Sequence, residues 1–105
     1  MNEPTKPTRK SLIKHFINKF EKIPEEQWCA FTTINAQGQR CALGHTMTDG
    51  TWVTRTAETD NLISLFGRHE ENIPDINNGR FSRYNQPTPK LRVLAALRDK
   101  LAKEQ

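Results

Sequence analysis

From Leu12 onward, the apolar residues Leu12, Ile13, Phe16, Ile17, Phe20 and Ile23 recur at steps of three and four, with lysines between them, until Pro24 breaks the pattern. That period puts the apolar side chains on one face of a helix, and Thr8 or Ser11 supplies an oxygen to cap its first turn. A second such run opens at Thr88-Pro89. The residue before a proline is pushed into the extended conformation an N-cap needs, and proline fits the first helical position. Leu91, Leu94, Leu97 and Leu101 then line one face, Val93, Ala95 and Ala96 widen it, and Arg92, Arg98, Lys100 and Lys103 keep the other face charged. A third helix is predicted from the cap Thr56 through Leu62, Ile63, Leu65 and Phe66 to Gly67.

The intervening segments carry weaker signals. Pro24-Glu25-Glu26 suits the first turn of a short helix, after which Trp28 enters the core. Ala30 to Ile34 hold β-formers, and Asn35-Ala36-Gln37-Gly38 supplies a polar turn, so a small hairpin ending near Arg40 is expected. Cys41 to His45 fits either the end of that hairpin or one helical turn. Asp49-Gly50 reads as a turn, Trp52-Val53 as a buried anchor, and Asn72 to Pro87 as a long polar loop. Residues 1–7, with Pro4 and Pro7 and no periodicity, read as a flexible arm ahead of one globular domain over 8–103. The expected fold is mainly α, of the α+β kind, with three main helices and a small hairpin.

Composition narrows the setting. A chain of 105 residues with 34% hydrophobic positions builds one modest core and not two. No apolar run approaches the roughly 20 residues of a membrane span, and no apolar signal-peptide core follows the polar start Met1 to Lys10, so a cytoplasmic protein is expected. In that compartment Cys29 and Cys41 are expected as free thiols. The net charge of +4 is unevenly spread: residues 1–23 hold six Lys/Arg against two acids, residues 24–79 three against eight, and residues 80–105 seven against two. If the two ends pack side by side, their exposed faces merge into a basic surface that suits a polyanion or an acidic protein patch.

Candidate chemistry is sparse. Cys41 and His45, four apart, would meet on one face of a helix as a thiolate-imidazole pair, although a small buried cysteine beside a hydrogen-bonded histidine is the simpler arrangement. A zinc site would need Cys29, Cys41, His45 and a fourth ligand such as His69, but the spacing of the cysteines matches no paired-ligand knuckle, so no metal is expected. Glu25-Glu26 and Glu70-Glu71 read as solvated carboxylates. There is no P-loop or Gly-x-Gly-x-x-Gly run, and no cofactor is expected. The richest segment runs from Asn77 to Gln86: Arg80 and Arg83 offer forked donors, Phe81 and Tyr84 offer stacking faces, and Asn77 and Asn78 offer donors and acceptors. Equally, Phe81 and Tyr84 can anchor a loop whose asparagines only make turns.

Trp28, the Gly38-x-x-Cys41-Ala42-Leu43-Gly44-His45 run, the Ile76-Asn77-Asn78-Gly79 loop and the tail from Gln86-Pro87-Thr88-Pro89 to Asp99 resemble small proteins encoded in phage and prophage genomes. That group commonly has Asn-Asp-Gly where this chain has Asn77-Asn78-Gly79. The resemblance implies an accessory protein that inhibits or sequesters. The leading expectation is therefore a non-enzymatic protein binding a host component, such as a defence protein, or a small anionic ligand. Nucleic-acid binding through the basic ends is the first alternative, and a Cys41-dependent thiol enzyme the second. The oligomeric state is not legible.

Overall fold

Helix α1, Arg9–Glu21, starts where the Thr8 side chain accepts from the Ser11 amide at 3.1 Å and stops just before Pro24. The computed structural model describes residues 8–49, 53–67 and 71–104. The expected arm 1–7, Gly50 of the expected turn, the expected anchor Trp52, and His69 and Glu70 lie outside the described residues. A 3-10 turn follows at Glu25–Gln27, and Trp28 is buried behind it. Helix α2, Ala57–Phe66, opens with Thr56 and Thr59 capping each other and closes at Gly67, whose φ of +79° is open to glycine without a Cβ penalty. Helix α3, Ile73–Asn77, is capped by Asn72 and followed by a 3-10 turn at Ser82–Tyr84. Helix α4, Pro89–Lys103, begins at the expected Thr88 cap.

The helices close around one core: Ile13, Phe16 and Phe20 from α1, Leu62 and Leu65 from α2, Ile73 and Ile76 from α3, and Val93, Leu94, Ala96 and Leu97 from α4. Full burial of such side chains contributes roughly 1.5–3 kcal/mol each before entropy is charged against it. The most extensive helix contact is α1 on α4, so the first and last helices pack side by side. Arg9 pairs with Glu104 at one end of the seam and Arg98 with Glu21 toward the other, which makes the helices antiparallel. No helix among the described residues is long and apolar enough to cross a membrane.

Three expectations need correction. The mainly helical fold is present, but the hairpin is not: among the described residues only isolated bridges join Arg40 to Trp28 and to Ile34. Its turn does form, with the Asn35 side chain accepting from the Gln37 and Gln39 amides, yet Phe31 takes a positive φ of 70° that kinks the chain out of the extended path a ladder needs. The long loop after Asn72 is broken by α3 and the 3-10 turn. Leu91 does not join the buried face of α4 and is 37% exposed; the helix turns inward on Val93, Leu94, Ala96 and Leu97 instead.

Cys41 to Met47 forms tight turns rather than an α-helix, with a 3-10 turn at Gly44–Thr46. A Cβ on Gly44 would lie 2.4 Å from the Thr33 carbonyl oxygen, so close backbone approach demands glycine here. The segment is tied to α2 by threonine hydroxyls: buried Thr46 donates to buried Thr59 at 2.9 Å, and half-buried Thr56 donates to the Thr46 carbonyl at 2.7 Å.

Candidate functional site

The C-terminus of α3 delivers Asn77 into the core, where it is fully buried. Its Oδ1 accepts from the Ala42 amide at 3.0 Å, and its Nδ2 donates to the Cys29 carbonyl at 3.0 Å and to Asn78 Oδ1 at 3.3 Å. Its own carbonyl accepts from Arg92 of α4 at 2.8 Å. One side chain thus ties together two irregular segments that have no sheet to organise them. Asn77 has no group left to offer a ligand.

Asn78 does something different. Its Oδ1 accepts from the Phe31 amide at 2.7 Å and so holds Phe31 in the left-handed region. For a bulky residue that conformation costs on the order of 1–2 kcal/mol. The strain hides nothing apolar, because Phe31 is 73% exposed, the most exposed large hydrophobic among the described residues. The ring borders a cleft of about 200 Å³ whose walls are Thr32, Thr33, Cys41, Leu43, Pro74 and Asn78. Leu43 and Pro74 also line a neighbouring cleft of about 340 Å³ that reaches Ile63, Ile73, Arg55 and Asp75. The two depressions share Leu43 and Pro74 and form one face of mixed apolar and polar lining, with Phe31 standing at its end.

The other residues of the loop divide. Arg80 is exposed and pairs with Asp75 at 3.3 Å, at the rim of the larger cleft. Phe81 packs partly buried against the core. Tyr84 is buried, donates its hydroxyl to Asp99 at 2.8 Å, and has its pKa pushed up to about 12 by that burial and by the neighbouring carboxylate. Arg83 lies across the Tyr84 ring and donates to Glu71 and Asp99. The structure brings Asn78 to the Phe31 cleft and Arg80 to its neighbour. Asn77, Phe81, Arg83 and Tyr84 it commits to holding the loop on the domain.

Cys41 and His45 do not pair. Their only hydrogen bond among the described residues is between backbones, the His45 amide donating to the Cys41 carbonyl at 3.0 Å; the Cys41 sulfur accepts from the Gly44 amide at 3.5 Å, while the His45 ring packs on Trp28 with centroids 4.7 Å apart. Burial pushes the Cys41 thiol above its ordinary pKa, opposite to what a nucleophile requires. Burial also lowers His45 to about 4, assisted by Arg40 and Lys19, against the pull of the Gln27 and Arg40 carbonyls. Its Nε2 is buried with no hydrogen-bond partner among the described residues. Both cysteines are free, and no group of three metal-ligating side chains is assembled among the described residues.

Sequence reasoning missed two arrangements. Phe31 sits among β-formers, so nothing local announces its conformation; the residue that imposes it lies 47 positions away. The second is Glu58 of α2, which accepts from His15 at 2.5 Å and Lys19 at 2.8 Å on α1; burial raises its pKa, but the hydrogen bonds from Lys19 and His15 outweigh that and leave it lowered. The four-residue spacing of Ser11, His15 and Lys19 was the available signal. Ser11 there donates to the Thr8 carbonyl, leaving no Ser–His relay, and the cluster reads as a helix clasp. No family model, curated protein or solved structure matches the chain.

Proposed function

We propose that the chain is a non-enzymatic binding protein that engages a protein partner through the face that Phe31 borders, acting by occupation, as the inhibitors and sequestering factors implied by its resemblance to phage-encoded proteins do. One observation carries this reading: an aromatic ring is held exposed in a strained backbone conformation by a side chain from a distant element. Strain of this kind persists only when the surroundings over-determine it, and it concentrates at sites of function. A rigid aromatic beside an apolar cleft is the anchor that protein interfaces use, since it desolvates a large area at little cost in side-chain entropy. The anionic-ligand alternative is weaker, because Arg80 and Arg83 already have carboxylate partners. The thiol-enzyme alternative is weaker still, because the Cys41 thiol is disfavoured as a thiolate and, among the described residues, its sulfur meets the Gly44 amide and no hydrogen bond joins it to the His45 ring.

The experiment compares wild type with Phe31→Gly, which removes both the ring and the reason for strain. A protein captured from bacterial lysate by wild type, cross-linking to a photoreactive residue at position 31, and lost from a stably folded Phe31→Gly variant supports the reading. Capture that survives Phe31→Gly refutes it.

A further inference from the structure

The Phe31 face leaves unused the chain's uneven charge, which the fold concentrates. Because α1 packs antiparallel on α4, Lys90 and Arg98 of the basic C-terminal segment come to the end of α1 that carries Glu21. Along α1, Lys10, Lys14 and Lys22 fall on a ridge of four-residue steps with Asn18 between them. Lys14 and Lys22 are exposed, Lys10 is half-buried, and none of the three has an ion-pair partner among the described residues. Across the seam stand Lys90, whose Nζ donates to the Glu21 carbonyl at 3.0 Å, and Arg98, paired with the Glu21 carboxylate at 3.4 Å. Glu21 and Glu104 are the acids paired across this seam. The ridge from Lys10 to Lys22 spans about 18 Å at 1.5 Å per residue.

We infer that this seam binds the phosphate backbone of duplex nucleic acid without sequence preference. Duplex DNA carries a charge about every 1.7 Å of its axis, so an 18 Å ridge faces roughly ten phosphates, and its three lysines with Lys90 across the seam can each find one, whereas Arg98 is already paired with Glu21. Three observations choose among polyanions. Helices that lie in a membrane need an exposed apolar face, and here those faces are turned into the core. Protein interfaces are depleted in lysine, whereas phosphate contacts are made readily by flexible ammonium groups. Single strands are gripped by stacking aromatics, and on α1 Phe16 and Phe20 are both fully buried. Recognition of the backbone alone, with no helix presenting side chains to base edges, is independent of sequence.

The test is fluorescence anisotropy of the full chain with a labelled 20-base-pair DNA duplex of arbitrary sequence, between 50 and 200 mM salt. An RNA duplex, a single strand and phosphatidylserine vesicles serve as further probes. With about four phosphates neutralised, log K should fall against log salt with a slope near −3.6, a loss of roughly 150-fold across that range. A variant carrying Lys10→Gln, Lys14→Gln and Lys22→Gln should lose about 2.7 from the slope, at about 0.9 per contact. Binding to either duplex with these slopes supports the inference. It is overturned by absence of duplex binding at 50 mM salt, by a slope the triple variant does not change, or by tighter lysine-dependent binding to the vesicles or the single strand. The Phe31→Gly variant should bind the duplex like wild type, so the two proposals fail separately.

Discussion

Asn77→Ala should be among the most damaging single changes in this protein, although the sequence presents that residue as a loop asparagine. The substitution removes the acceptor of the Ala42 amide and the donor to the Cys29 carbonyl, both at 3.0 Å and both buried interactions. A buried group left without a partner costs about 1–3 kcal/mol, and two such groups with the small void put the loss at about 3–5 kcal/mol. For a domain of this size that lowers Tm by more than about 10 °C. Asn77→Asp keeps the acceptor for Ala42 but sets a carboxylate against the Cys29 carbonyl. Its deficit relative to wild type should shrink as the pH falls and the carboxyl gains a proton to donate. Urea denaturation followed by circular dichroism measures both, with Arg80→Ala as a surface control expected within about 0.5 kcal/mol of wild type. A loss below about 1 kcal/mol for Asn77→Ala would refute the role of Asn77 as the tie between the two irregular segments.

Three further outcomes follow from the same geometry. His45 is held near pKa 4 in the fold against about 6.5 unfolded, so the unfolded chain binds the extra proton first and stability declines as pH falls through that window. The decline should be about 2 kcal/mol between pH 7.5 and pH 5 and should be largely absent in His45→Gln, as read by urea titrations at the two pH values. Gly44→Ala should cost about 3 kcal/mol or prevent folding, because the added carbon meets a backbone oxygen at 2.4 Å; a Tm within 3 °C of wild type would contradict this. Cys41→Ala should lower stability by about 1–3 kcal/mol while leaving partner capture intact, and loss of function at unchanged Tm would instead favour thiol chemistry.

The helices were readable where periodicity and end signals agreed. In α1 and α4 the three- and four-residue steps ran long enough to fix a face, and Thr8, Pro24 and Thr88-Pro89 marked the ends. Thr56 and Gly67 did the same for α2. Helix α3 is too short to show a period, although Asn72, Pro74 and Asp75 were start signals. The hairpin failed because β-formers at Thr32, Thr33 and Ile34 describe local preference, while the path there is set by Asn78 from 47 residues away. The segment 77–86 was legible as a unit but not residue by residue. Whether an asparagine faces solvent or spans the core depends on carbonyls and amides 35 and 48 positions distant, which leave no mark on the local sequence.

That Phe31 is held out for a partner, and not for the fold, is tested most directly by measuring the stability of Phe31→Gly alongside its partner capture. Glycine relieves the positive φ, and the exposed ring takes little packing with it. The variant should therefore melt at or above the wild-type temperature, by up to about 1 kcal/mol of added stability, while losing the partner. A variant that loses more than about 1 kcal/mol, or that still retains the partner, would contradict the assignment of this face as the binding surface.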